Sequence, residues 1–274
     1  MNKIITILFL FFYINSNSQT VQDYINKNAI NCSNLSDTNI TLYNCLKKFK
    51  CISVGEMHGT SEPAAFVLGL AKTFVQNNKK VIIGIEIENK KIHFFSKSRK
   101  IADLEKSIFF NDSAKYGRNS QACYNLIFSA NKINSIDFCF FDSDLAFDEN
   151  RDSTMAFNII KRYEADTNSV IITLSGNIHN MILPYNNKKT MGCYLKNYFK
   201  NKYFSITNLY GGGTMHNNTG NSLKINTVEK TNSIFDTATH YNNYFLVANF
   251  QNYLKEYNGI IYTKTITASL NYKK

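Results

Sequence analysis

Val54-Gly55-Glu56-Met57-His58-Gly59-Thr60 (VGEMHGT, residues 54–60) joins a short apolar run, Cys51-Ile52-Ser53-Val54, to a segment of helical spacing, Ser61 to Gln76. A polar Gly-Glu-x-His cluster thus falls where a strand hands over to a helix. In an open parallel sheet that edge is where ligands bind. A second Gly-x-x-His, Gly176-Asn177-Ile178-His179, follows another apolar run, Ser169 to Leu174.

Working outward, the alternation continues. Further strands are expected at Val81–Ile87, Ser135–Phe141, Tyr203–Thr207 and Ile260–Ile266. Ala64, Val67, Leu68, Ala71 and Val75 recur at helical spacing, which predicts a helix over Glu62–Gln76. Helices are also expected at Ser120–Lys132, Met191–Tyr198 and Glu149–Ala165, the last opened by Asp148 and Glu149 where the helix dipole favours negative charge. Lys90–Phe110 reads as irregular helix and Tyr210–Ile234 as a long loop or inserted hairpin. The fold class is therefore α/β, a largely parallel sheet flanked by helices. An active-site cleft is expected at the carboxyl ends of its strands. Those ends bring Glu56, His58, Glu86, Glu88, Asp142, Asp144 and His179 to one edge.

Composition narrows the class. A chain of 274 residues with 44% hydrophobic residues can bury a substantial core. Its formal net charge of +11 comes from scattered lysines with no nucleic-acid-binding signature, so a solvated basic surface is expected and nucleic acid is not. Lys3, the apolar run Ile4–Ile14 and the polar exit Asn15–Gln19 read as a secretory signal over residues 1–18. Residues 19–274 read as one domain. The expected destination is periplasmic or extracellular, with no stable membrane insertion. Export permits disulfides, and a bridge among Cys32, Cys45 and Cys51 is expected, whereas Cys139 reads as a buried small hydrophobe.

His58 can take a proton from water or bind a metal; the bland alternative is a loop histidine capping the next helix. Glu56 could orient it. Glu86 and Glu88 sit in an apolar strand, where a charge is costly unless paired, and period-2 geometry puts both on one face. A buried salt bridge is the structural alternative for Glu86. Arg151 could stabilise developing negative charge or pair locally with Glu149 or Asp152. For His179, a satisfied core histidine is the alternative. His93, His216 and His240 lack comparable settings. No Gly-x-Ser-x-Gly elbow, Walker loop or His-Glu-x-x-His is present.

At these residues the chain resembles the erythromycin esterase/ChaN-like superfamily, related to the TraB/TIKI hydrolases. The marks are GEMHGT at Gly55–Thr60, the strand ending in Glu86, RDSTMAFNI at Arg151–Ile159 and GNIHNM at Gly176–Met181, with MGCYL at Met191–Leu195 and YNGIIYTKTIT at Tyr257–Thr267 following in order. The resemblance implies an α/β fold with Glu56, His58, Glu86, Arg151 and His179 as the site. It departs from the esterase branch at Gly176, where that branch carries another histidine. It implies a hydrolase acting on an ester or amide of a small molecule or peptide through water activated by His58. In a metal-assisted form, Glu56, His58, Glu86 and His179 would hold a divalent ion such as Mn, Co or Zn. The alternative is a haem- or metabolite-binding protein without turnover, with His58 or tyrosines as iron ligands.

Overall fold

The computed structural model describes residues 21–112, 117–143, 150–218, 223–229, 233–237, 239–247 and 254–272. The signal sequence, Asp144, Asp148 and Glu149 lie outside the described residues. The chain runs as α1 (21–28), β1 (Ile30–Asn31), α2 (Ile40–Leu46), β2 (Cys51–Glu56), α3 (Glu62–Gln76) and β3 (Val81–Glu88). Three short helices follow, α4 (His93–Ser98), α5 (Ile101–Glu105) and α6 (Ile108–Asn111), then α7 (Gln121–Ala130) and β4 (Ile136–Asp142). The remainder is α8 (Arg151–Glu164), β5 (Val170–Gly176), α9 (Met191–Phe199), β6 (Tyr203–Tyr210), β7 (Gly213–Asn218), β8 (Leu223–Val228), α10 (Ser233–Thr237), β9 (Asn243–Val247) and β10 (Gly259–Thr263).

One eight-stranded sheet in the order β1-β9-β10-β6-β2-β5-β3-β4 forms the centre. The six strands from β10 to β4 are mutually parallel, while β9 pairs antiparallel with β10 and β1 with β9. The α/β class and the six parallel strands are as the alternation predicts. The antiparallel edge is not, although Tyr244-Phe245-Leu246-Val247 carries an apolar signal. The Tyr210–Ile234 stretch resolves into the β7–β8 hairpin.

Period-2 alternation explains the layers. Ile52, Val54, Ile83, Ile85, Ile172 and Leu174 face α3 and α7, which bring Val67, Ala71, Phe74, Leu126 and Ile127 to the same core. Cys51, Ile82 and Ile171 face the other way, against Met155, Ala156 and Ile159 of α8 and Met191 and Leu195 of α9. Each such aliphatic side chain contributes roughly 1.5–3 kcal/mol on burial. Pro63 at the start of α3 suits the first turn, where its missing N–H costs nothing. Ser120 and Thr190 cap α7 and α9 through side-chain oxygens that accept from the N–H groups of Cys123 and Cys193.

The expected bridge among Cys32, Cys45 and Cys51 is a correction, because all six cysteines are free. Cys32 and Cys45 lie on the α3 side of the sheet and Cys51 on the α8 side. Burial pushes the Cys32 and Cys139 thiols up to about 12, so both are inert hydrophobes at neutral pH.

Candidate active site at the strand ends

Glu56 is the last residue of β2, Asp142 of β4 and Gly176 of β5, and all three strands end on the same edge. His58 follows β2 in the turn before α3. His179 lies in the 3-10 turn Asn177–Asn180 after β5, and Arg151 opens α8. A register shift between Ile85 and Glu88 separates the two glutamates of β3. Glu86 enters the cluster, while Glu88 pairs with Lys90 and Lys91 at 3.3 and 2.9 Å.

Glu86 is the hub. Its Oε1 accepts from Arg151 Nη2 at 2.7 Å and Arg118 Nη1 at 3.0 Å, and its Oε2 accepts from the Gly176 N–H at 2.9 Å. Asp142 accepts from Arg151 Nε at 2.9 Å and Nη2 at 3.0 Å, and from Arg118 Nη1 at 2.9 Å. Two buried carboxylates and two guanidiniums thus satisfy one another, which is the condition for keeping such charges out of water. Burial raises the Glu86 pKa, but His58, His179, Arg118 and Arg151 outweigh it and hold the group down to about 2. Burial likewise works against the Arg151 charge. The hydrogen bonds and charges of Asp142 and Glu86 prevail and raise its pKa.

Two imidazoles flank this hub. His58 Nδ1 lies 2.7 Å from Glu56 Oε1, and its Nε2 faces Glu86 Oε2 at 3.9 Å. His179 Nδ1 lies 2.8 Å from Asp152 Oδ1, and its Nε2 faces Glu86 Oε1 at 3.9 Å. A Cβ placed on Gly176 would sit 3.3 Å from His58 Nε2 and 3.5 Å from His179 Cδ2, so both rings border one point. Arg151 Nη1 is 3.3 Å from His179 Nε2. A guanidinium has no lone pair to offer, so where Nε2 carries no proton it accepts from Arg151 while Nδ1 donates to Asp152. Burial lowers the His58 pKa; the Glu56 hydrogen bond and the charges of Glu56 and Glu86 more than offset burial and Arg118, and the net shift is upward. The His58 side chain is 25% exposed and that of Glu86 3%, so the hub is sealed and the rings reach solvent.

All five residues expected from sequence, Glu56, His58, Glu86, Arg151 and His179, lie in this cluster. Arg151 pairs with Glu86 and Asp142 rather than with its helix neighbours. Sequence reasoning missed Arg118 and the part played by Asp152. Arg118 sits in a segment without periodicity, yet the chain holds four arginines, residues 99, 118, 151 and 162, among its 31 basic residues. In so lysine-rich a sequence, arginine marks positions that need a planar fork. The other two serve the same end, since Arg99 and Arg162 both bond Asp137. The described residues do not outline the cleft expected above the cluster.

Backbone contact fixes the two loops that carry His58 and Arg118. Gly59 (φ +82°) and Gly117 (φ +65°) both lie against the His216 carbonyl of β7, and Gly59 O accepts from the N–H groups of His216 (2.9 Å) and Ser269 (2.8 Å). A Cβ on Gly59 would lie 2.0 Å from His216 O. Gly59→Ala should therefore cost about 1–3 kcal/mol through strain and displacement of the hairpin. Calorimetry checks this, and an unchanged melting temperature would refute the packing described.

The metal set expected from sequence does not fit. The Nδ1 atoms of both histidines are taken by carboxylates, and Glu86 is occupied by two guanidiniums and an N–H. An ion among Glu56, His58, Glu86 and His179 would lie beside two positive charges. Among the described residues no group of three or more His, Cys, Asp or Glu is placed to hold one. Haem fits no better, because the surroundings of His58 are charged rather than an apolar slot for a porphyrin.

Fold and site together define an α/β protein whose parallel strands end in two carboxylate-held imidazoles around an arginine-bound glutamate. No family model matches the sequence, and no curated protein matches it. Solved structures share the fold. A succinoglycan biosynthesis protein is 12% identical with a TM-score of 0.69, covering 93% of this chain and 99% of that one. A Bacillus cereus protein is 9% identical with a TM-score of 0.67 and the same coverages. An erythromycin esterase mutant in its open conformation is 11% identical with a TM-score of 0.55, covering 87% of this chain and 97% of that one. At these identities the likeness establishes the fold alone.

Proposed function

We propose that this chain is an exported hydrolase in which His58 activates water for attack on an ester or amide carbonyl of a small molecule or peptide. The observation that carries this is the Glu56–His58 pair at 2.7 Å, which leaves Nε2 facing the hub beside two guanidiniums. Nε2 takes a proton from water as the water oxygen bonds to the carbonyl carbon. The negative charge passes to the carbonyl oxygen, which the positive charges of Arg151 and Arg118 would stabilise. Collapse breaks the bond to the alkoxide or amine, which leaves with the proton from His58. His179 presents Nε2 to Arg151 and helps position that guanidinium. The shared fold of an erythromycin esterase supports the class of reaction without naming the substrate.

The test is a screen of ester and peptide substrates followed by a pH–rate profile. The base works unprotonated, and its pKa is raised above the ordinary value of about 6.5. kcat/KM should therefore climb with pH and level off above neutrality, with no loss on adding a chelator. An acid limb centred below pH 6, or activity abolished by the chelator, would rule out this mechanism.

A further inference from the structure

We infer that the amino edge of the sheet, opposite the candidate site, is a docking face for an anionic phospholipid surface. The lysines that look scattered in sequence are gathered there by the fold. Lys48 and Lys50 precede β2, Lys79 and Lys80 precede β3, and Lys200 and Lys202 precede β6. These strands lie within the run β6-β2-β5-β3, about 14 Å across. Lys50 Nζ bonds the Thr167 carbonyl in the turn before β5, so the row continues past that strand. Five of the six are exposed, Lys50 is half-buried, and none is in an ion pair among the described residues.

Helix dipoles favour cations in a last turn, but that effect fades beyond it. Lys50 and Lys80 stand at the strand starts, four residues past α2 and α3, while Lys202 stands three past α9 in a single 3-10 turn that leads into β6. The opposite edge is close to balanced, with Glu56, Glu86, Glu88, Asp142 and Asp152 set against Arg118, Arg151, Lys90 and Lys91. A molecule so polarised turns its basic edge toward a negative surface and its site away from it.

A lipid surface fits better than nucleic acid. The face is broad rather than a stripe. Its guanidiniums, Arg99 and Arg162, are engaged by Asp137, and Asp166 lies near Lys80. That leaves an excess of lysines, which act as point charges on diffuse negative potential. One exposed ring, Tyr198, stands beside it at the end of α9, too few for a base-stacking platform and suited to a headgroup interface. No helix among the described residues is long and apolar enough to cross a membrane, so the contact is peripheral.

The experiment is co-sedimentation of the whole chain with vesicles of phosphatidylglycerol and phosphatidylcholine, with phosphatidylcholine vesicles and a single-stranded oligonucleotide as the other arms. Any binding through the apolar amino-terminal stretch is common to both lipid compositions, so the difference reports charge. Expected are binding that requires phosphatidylglycerol and its loss at high salt. Lys48→Glu, Lys80→Glu and Lys202→Glu together should weaken it on the order of a hundredfold. Lys189→Glu, Lys224→Glu and Lys264→Glu, away from this edge, should leave it within a few-fold. Circular dichroism confirms folding, and glutamine replacements serve if the glutamate set melts early. Absence of phosphatidylglycerol-dependent binding, equal loss in both sets, or a preference for the oligonucleotide would overturn the assignment. None of these outcomes touches the hydrolytic reading.

Discussion

Glu86→Gln should lower the unfolding free energy by about 3–5 kcal/mol, because it removes one charge from a buried network and leaves two guanidiniums on Asp142 alone. For a chain of this size the melting temperature should fall by roughly 6–20 °C. The pH dependence separates this from simple loss of packing. The Glu86 carboxyl is held at about 2 in the fold, below its unfolded value of about 4.3. The stability it contributes is therefore complete above the unfolded pKa and is lost as pH falls from there through the folded one. The parent should weaken across that window and the variant should show a flatter profile. A loss below about 1 kcal/mol, with unchanged acid sensitivity, would mean that the network is solvated and weak.

His58→Ala carries the largest expected effect on turnover, a loss of about 10²–10⁴-fold in kcat/KM, the usual contribution of a general base. Stability should change little, since the ring reaches solvent and anchors no buried charge alone. Glu56→Gln should lose part of the same factor. The double variant should be no worse than His58→Ala, because a residue that acts through another cannot add to its removal. Full activity of His58→Ala on an accepted substrate would end the hydrolytic reading. Unequal behaviour at the two rings would support it. His179→Ala removes a partner from Arg151 Nη1 but leaves that group on Glu86 and Asp142, so it should depress activity less than His58→Ala. Its acid limb should stay where His58 puts it.

Much of this was legible in one dimension. Apolar runs of strand length separated by helical spacing determine a parallel α/β sheet, because only that arrangement covers both faces of strands such as Val81-Ile82-Ile83-Gly84-Ile85. Parallel strands end on one edge, so Glu56, Glu86 and His179 converge for a reason that period and order already contain. Other features depend on distances that no local pattern encodes. The register shift that parts Glu86 from Glu88, the arrival of Arg118 on both carboxylates, and the bond that commits Asp152 to His179 arise when separate segments meet. The same holds for the disulfides that did not form and for the lysines collected on the amino edge. Sequence spacing sets which face a side chain takes along its own strand, whereas its electrostatic partners are chosen by packing between elements, and that is decided in three dimensions.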